Sequence, residues 1–294
     1  MNMRRSMLFL PGNTPNMLMN ANVLGCDAVI FDLEDAVAPA EKDAARVLVR
    51  NAMKYMALSC EVIVRINSVD TPYWKKDLDE MLPQKPNLIM LPKSSCAEDI
   101  HLVDAYMSEV EDRLGFERNT VCLMPLIETA LGVENAFAIA SAGKRVKALF
   151  LGAEDLTKDL RCVRTKDSHE IEYARSRLVM AARAAEVDVY DTPFTDVNDD
   201  EGIYVDAAYA KSLGFTGKAS ISPRHVDAIN EVFSPTQKEV DYAYEVMEAI
   251  EEGKRQGKGA VALHGKMIDA PVVARAQQTI AMAEELGMTR GGTD

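Results

Sequence analysis

The sequence of 294 residues, 48% hydrophobic and 27% charged, is close in size to a single α/β barrel and ample for one large core. Thirty-three basic against 46 acidic residues leave a net charge of −13, and no basic patch interleaved with aromatics occurs, which argues against a nucleic-acid partner. No apolar run reaches the roughly 20 residues of a membrane span, and five scattered cysteines (Cys26, Cys60, Cys96, Cys122, Cys162) without a CxxC pair suit a reducing cytoplasm better than a disulfide framework or a zinc site.

Two arginines precede the first apolar run, SMLFLPG (6–12), but Pro11 and Gly12 end it far short of a signal peptide's apolar region, and it is expected to form a strand. AVIFDLED (28–35), EVIVRIN (61–67), LIMLPK (88–93), VCLMPLIET (121–129), ALFLGAED (148–155), DVYDTPF (188–194) and GKASISP (217–223) follow it. Segments of helical period separate these runs, the signature of βα units around a parallel sheet. Eight runs are what a closed TIM (β/α)8 barrel needs, and residues 1–230 are assigned to one as the catalytic domain. Ala44, Leu48, Ala52 and Tyr55 mark one helix face, and Ile171, Ala174, Leu178, Ala181 and Ala185 another, both expected to cover the barrel's outside.

After INEVFSP the texture changes. Val240, Ala243, Met247 and Ile250 make an amphipathic helix that runs into the polar EEGKRQGKG; AVALHGKMIDAP follows, then a last helix from Pro271 to about Leu286 with proline in its first turn. Residues 231–294 are too few for an independent domain and are predicted to be a C-terminal helical extension or lid, packed on the barrel or on a neighbouring subunit.

Polar residues at the C-terminal ends of barrel strands sit where such active sites are built. Glu128 ends the fifth run and Asp155 the sixth. Adjacent strands lie about 4.8 Å apart, so both carboxylates can reach one hard cation, and two carboxylates completed by water and substrate oxygens is a typical Mg2+ arrangement. The alternatives are that both are helix N-caps or exposed loop acids, or that Glu154 replaces Asp155 as ligand. In EVIVRIN, alternation sends Ile63, Arg65 and Asn67 to one face, which aims Arg65 at the barrel mouth, either to grip a substrate carboxylate bidentately or to pair with the acids of the second strand. Those acids are Asp32 and Glu34, of inward parity, with Asp35 opening the loop; Lys93 either lines the mouth or balances them. The backbone amides of Gly152, Ala153 and Glu154 are candidate anion donors, since glycine lets a ligand approach the main chain. The fingerprints of dinucleotide, P-loop and serine-hydrolase sites are absent, and the four histidines show no metal-ligand spacing.

RRSMLFLPGN, FDLEDAVAPAEKDAAR, VRIN, LPK, LIET followed by GAEDLTKDL, YDTPFTDV and LHGKMIDAPVVARA, in this order over nearly the whole chain, resemble the citrate lyase β-subunit family. That family lies within the wider group of metal-dependent acyl-thioester lyases similar to malyl-CoA lyase and the HpcH/HpaI aldolases, which are TIM barrels. The resemblance implies a Mg2+-dependent lyase that cleaves a citryl thioester, on an acyl carrier protein or on CoA, to oxaloacetate and an acetyl thioester by a retro-Claisen reaction. It places the substrate arginine on Arg65 and the metal ligands on Glu128 and Asp155. By analogy with malyl-CoA lyases it places on Asp269 an aspartate from a neighbouring subunit that closes the site; without the family, Asp269 reads as a helix N-cap ahead of Pro271. It also implies an oligomer, often a trimer, working with α (transferase) and γ (acyl carrier) subunits. One departure is Ser222-Pro223 in SISP, where many relatives carry His-Pro. Rival functions are a stand-alone malyl-CoA or citramalyl-CoA lyase, and a non-catalytic barrel subunit.

Overall fold

The computed structural model describes residues 3–256 and 261–292. Eight short parallel strands, β1 (Ser6–Pro11), β2 (Ala28–Asp32), β3 (Glu61–Arg65), β4 (Leu88–Leu91), β5 (Cys122–Ile127), β6 (Ala148–Leu151), β7 (Asp188–Asp191) and β8 (Gly217–Ser220), close into a barrel in chain order. Each of the eight apolar runs supplies one strand, and the ring is completed by β8 pairing with β1 through Ser6↔Lys218, Met7↔Ala219 and Leu8↔Ser220. Every residue of β2, β4, β6 and β8 is buried, because a parallel strand in this architecture has packed side chains on both faces.

Met7, Ile30, Ile63, Met90, Met124, Leu126, Phe150 and Tyr190 fill the barrel interior, which is therefore a core and not a channel. The strands are shorter than the runs that announced them. Beyond Leu151, for example, Gly152 takes an extended conformation as N-cap and Ala153 begins a helix, so the last residues of that run form the first turn over the barrel mouth.

The helices of the outer layer are α1 (Pro15–Met19), α2 (Lys42–Tyr55), α3 (Trp74–Met81), α4 (Ala97–Leu114), α5 (Ala130–Glu134), α6 (Ala136–Ala140), α7 (Ala153–Asp159), α8 (Glu172–Ala184), α9 (Asp200–Leu213) and α10 (Val226–Phe233). On α8 the inward face contains the expected Ala174, Leu178 and Ala181. On α2 the expected stripe is rotated by one position: Lys42, Ala45, Arg46, Val49 and Ala52 are buried, while Ala44 and Tyr55 face solvent. The cause is charge pairing that composition does not reveal. Lys42 Nζ donates to the carbonyls of Leu33 (2.8 Å) and Glu34 (2.6 Å), and Arg46 Nε donates to Asp77 at 2.8 Å, so two cations occupy inward positions that apolar residues were expected to hold.

The chain divides into two compact units, Arg4–Asn230 and a second built mainly from the segment beginning at Glu231. The second contains α11 (Gln237–Arg255), an antiparallel hairpin of β9 (Val261–Leu263) and β10 (Lys266–Ile268), and α12 (Ala270–Glu285). Thr236 and Glu239 form a capping box at the start of α11. Ala243, Val246, Ile268 and Ala276 form this unit's core, with Met247 and Ile250 packed on it. The hairpin was not anticipated; His264 (φ 48°) and Gly265 (φ 77°) supply the paired left-handed conformations of a tight turn. Residues 257–260, which hold the end of the polar EEGKRQGKG and the first residue of AVALHGKMIDAP, lie outside the described residues.

Candidate active site

The C-terminal ends of the strands open into a cavity of about 340 Å³. Asp32 and Arg65 are directly paired in the β2–β3 register, which fixes both side chains at this mouth. Asp32 accepts from Arg65 Nε at 2.7 Å and from Nη2 at 2.6 Å, and also from the backbone N–H groups of Glu34 (2.8 Å) and Ala36 (3.1 Å). Burial pushes the Asp32 carboxyl up, but Arg65 and these N–H groups outweigh it and hold the group below its ordinary value. Arg65 Nη1 lies 3.2 Å from Glu34 Oε2 and 4.0 Å from Asp35, and the guanidinium stacks on Phe9 with 5.1 Å to the ring centroid. Of the two uses expected for Arg65, the ion pair takes the Nε–Nη2 edge. Nη1 in turn faces Glu34 and Asp35, so the guanidinium stands among carboxylates at the cavity that Arg65 lines.

Lys93 bridges the acids. Its ammonium is 2.7 Å from Glu34, 3.9 Å from Asp35 and 3.9 Å from Asp155, which places it among the mouth's carboxylates as a balancing charge. Lys93 has φ 55°, and its backbone N–H donates to Glu128 Oε1 at 2.7 Å, a contact invisible in the sequence.

Glu128 is 3% exposed and lines the cavity with Asp155. Neither is a helix cap: Thr129 caps α5, and Asp155 lies in the first turn of α7 behind the N-cap Gly152. Burial first, then the charge of Glu34, with Asp155 adding, raise the Glu128 carboxyl to about 8 against the opposing pull of Arg65. Glu34 is likewise raised, since its burial outweighs Arg65 and Lys93, and its Oε2 is a buried oxygen with no hydrogen-bond partner among the described residues. Five carboxyl groups, Asp32, Glu34, Asp35, Glu128 and Asp155, thus stand with the two cations Arg65 and Lys93 at this mouth. All these donors are hard carboxylate oxygens, the set that suits Mg2+. Among the described residues no three His, Cys, Asp or Glu side chains form a complete cage.

The expectation that backbone amides of Gly152 and Ala153 serve as anion donors is corrected by the structure. Gly152 N–H donates to Ile127 O at 2.9 Å and Ala153 N–H to Thr192 Oγ1 at 3.2 Å, so both are already engaged. What Gly152 provides is space: a Cβ there would stand 2.7 Å from Glu128 Oε2 and 2.8 Å from its Cβ. Glu154 lines the cavity but is largely exposed and pairs with Arg164 at 3.4 Å. Asp269 belongs to the C-terminal unit, where its exposed side chain caps α12 by accepting from Val272 N–H at 3.2 Å. Ser222, in the departure from His-Pro, accepts from Arg224 N–H at 3.3 Å and so caps the turn after β8.

Thr192 and Pro193, directly after β7, and the apolar walls Phe9, Leu126 and Phe150 were not singled out from the sequence. Position alone marks the first two, being at a strand's C-terminal end, and inward parity marks the others.

Known proteins resemble this chain over most of its length. The profile of the family described as HpcH/HpaI aldolase/citrate lyase matches residues 5–223. The citrate lyase subunit beta of Leuconostoc mesenteroides subsp. cremoris is 43% identical over 282 residues, covering 96% of this chain and 93% of that protein. The L-malyl-CoA/beta-methylmalyl-CoA lyase of Cereibacter sphaeroides is 33% identical over 95% of this chain and 94% of its own length. The crystal structure of CitE from Mycobacterium tuberculosis in complex with magnesium, acetoacetate and coenzyme A superimposes with a TM-score of 0.75 at 28% identity, covering 96% of this chain and 98% of that one. The chain belongs to the HpcH/HpaI aldolase/citrate lyase family.

Proposed function

We propose that the protein is a Mg2+-dependent carbon-carbon lyase that cleaves a citryl thioester to oxaloacetate and an acetyl thioester. The observation that carries this is the convergence of Arg65, Glu128 and Asp155 on one cavity, in a chain 43% identical to a citrate lyase subunit beta. In a retro-Claisen cleavage the tertiary hydroxyl loses its proton, the carbon-carbon bond breaks, and the electron pair leaves as a thioester enolate that must then take up a proton at carbon. Glu128 and Asp155 would hold Mg2+, which would supply Lewis-acid charge to the oxygens of the oxo-acid half. Arg65 holds a carboxylate of that half while Asp32 fixes the guanidinium plane. Lys93 restrains Glu34 and offsets Asp155, and Phe9, Leu126 and Phe150 keep water from the enolate. Gly152, Ala153 and Glu154 shape the wall beside the ligand carboxylates.

Substrate and metal belong to the barrel unit, and Asp269 of a neighbouring subunit is assigned the proton exchange at the acetyl carbon, while residues 231–294 remain the C-terminal extension. The acyl group rides on an acyl carrier protein or on CoA. The same proposal includes a cytoplasmic homo-oligomer, a trimer, associating with citrate lyase α and γ subunits; among the described residues no helix is long and apolar enough to cross a membrane.

Citryl-carrier protein, citryl-CoA, malyl-CoA and citramalyl-CoA offered in parallel, with and without Mg2+, test the substrate. Fastest release of oxaloacetate from a citryl thioester, lost on chelation, is the expected result. Preference for malyl-CoA would move the assignment to the class of the 33% identical relative, and no turnover of any thioester would leave a non-catalytic barrel subunit.

A further inference from the structure

Four ionisable side chains between the barrel and its outer helices are buried and take no part in the charge cluster at the mouth. Asp191 ends β7, and its register partner on β8 is Lys218. Tyr190 and Ala219 belong to the barrel interior, so alternation turns Asp191 and Lys218 outward, towards α8 and α9. There Arg175 of α8 donates from Nε to Asp191 Oδ1 at 3.0 Å, and from Nη2 to Asp191 Oδ2 and to Asp206 Oδ1 of α9, both at 2.8 Å. The Lys218 ammonium donates to Asp191 Oδ2 at 2.6 Å and lies 2.6 Å from Asp206 Oδ2. Two cations thus meet two carboxylates, and none of the four residues is more than 7% exposed.

Such a network is a weak source of stability, because desolvating the charges offsets most of their mutual attraction. Lys218 also has a contact outside it: the ammonium donates to the carbonyl of Thr192 at 2.6 Å. Thr192 follows β7, is buried, and lines the cavity at the mouth. Its Oγ1 accepts from the N–H of Ala153, the first residue of α7, at 3.2 Å. The N-cap of that helix is Gly152, which has no side chain to hold the first N–H groups, so a hydroxyl from the neighbouring strand takes over a cap's work. Asp155 sits in the same first turn and faces the same cavity.

We propose that Lys218 is a positioning residue for Asp155, acting through Thr192; the inference rests on the reading of Asp155 as a Mg2+ ligand. Arg175, Asp191 and Asp206 fix the ammonium, the ammonium fixes the backbone just past β7, and the Thr192 hydroxyl fixes the start of α7. Breaking this chain leaves Asp155 in place in the sequence but free to shift, and a metal site whose ligands lose their outer supports loses roughly tenfold or more in affinity.

Lys218→Met is combined with Asp206→Asn, so that the buried group stays neutral and the amide oxygen still accepts from Arg175. Thr192→Val removes the hydroxyl and none of the charges, and Thr192→Ser restores it. These full-length variants and Asp155→Ala are compared with wild-type protein by calorimetry with Mg2+ alone, by hydrogen exchange at the start of α7, and by circular dichroism for folding. Thr192→Val and the Lys218→Met/Asp206→Asn protein are each expected to bind Mg2+ roughly tenfold more weakly and to exchange the Ala153 amide faster. Combining all three substitutions adds little to either loss, because they break one chain, and Thr192→Ser binds Mg2+ as wild-type protein does. If the Lys218 variant does not fold, Thr192→Val decides. Wild-type Mg2+ affinity in Thr192→Val or in the folded Lys218 variant, beside an Asp155→Ala protein that has lost it, overturns the positioning role alone. A serine variant no better than the valine one overturns it too. Wild-type affinity in Asp155→Ala overturns the reading of Asp155 as a ligand and the role of Lys218 with it.

Discussion

Asp32 and Arg65 are register partners on neighbouring strands, and the carboxylate occupies the Nε–Nη2 edge of the guanidinium at 2.7 and 2.6 Å. The pair therefore has a direction: Asp32 holds one edge of the guanidinium, and Nη1, on the other side, lies 3.2 Å from Glu34 Oε2. Asp32→Asn keeps the shape but loses the charge and one acceptor oxygen, so the guanidinium plane is no longer fixed. A fall in kcat/KM of roughly tenfold to a hundredfold is expected, the usual cost of a misplaced positioning group. Asp32→Ala, which leaves Arg65 without its buried partner, should in addition destabilise the fold by about 3 kcal/mol. Both are checked by steady-state kinetics beside urea denaturation. A loss of stability with unaltered kcat/KM in the asparagine variant would make the pair purely structural.

Arg65→Lys tests the rest of the guanidinium. Lysine can approach Asp32 as a point charge, but it cannot hold Asp32 with one edge and a ligand carboxylate with another. The expected outcome is a rise in KM of about tenfold or more, with Mg2+ affinity by calorimetry little changed because Arg65 is not a metal ligand. Wild-type KM in this variant would remove Arg65 from substrate binding.

Gly152→Ala probes the metal site without deleting a ligand. The added methyl would stand 2.7 Å from Glu128 Oε2, 2.8 Å from Glu128 Cβ and 3.0 Å from Leu126 Cδ1, so Glu128 must move. Its φ of −103° is open to any residue, so the cost comes from the overlap and not from the backbone conformation. Mg2+ binding should weaken by roughly an order of magnitude, a displacement cost of about 1.4 kcal/mol, and the melting midpoint should fall as well, because the buried Glu128 Cβ and Leu126 must give way. Unchanged Mg2+ affinity would show that Glu128 does not ligate the ion.

The barrel was legible because its strands are buried on both faces, and short continuous apolar runs that alternate with segments of helical period are what buried parallel strands require. The positions of Arg65, Glu128 and Asp155 followed from one rule, that strand ends face the mouth. What stayed hidden depends on contacts between distant segments. Lys93 joins the site through a backbone N–H in a left-handed conformation, which side-chain identity does not disclose. Lys42 and Arg46 turn inward on α2 because Leu33, Glu34 and Asp77 are there to receive them, and periodicity assigns such residues outward. The role of Gly152 likewise depends on the neighbouring strand: its missing side chain is the seat of Glu128.

His225 sets a pH dependence of stability separate from catalysis. It follows β8, is fully buried with its ring 6.0 Å from that of Phe194, and neither ring nitrogen has a hydrogen-bond partner among the described residues. Burial lowers its value, with Arg224 and Lys218 acting in the same sense and Asp196 and Asp200 opposing. The unfolded chain takes up a proton near the ordinary value of about 6.5, while the folded protein resists until lower pH. Between those two values the unfolded state holds more protons, so stability falls as pH falls, and above about 7 the imidazole contributes no slope. His225→Leu fills similar space without a titratable group. Urea midpoints measured from about pH 7.5 down to about 5.5 should drop more steeply for wild-type protein than for the leucine variant. Parallel curves for the two proteins would assign the acid sensitivity to the carboxylate pairs instead.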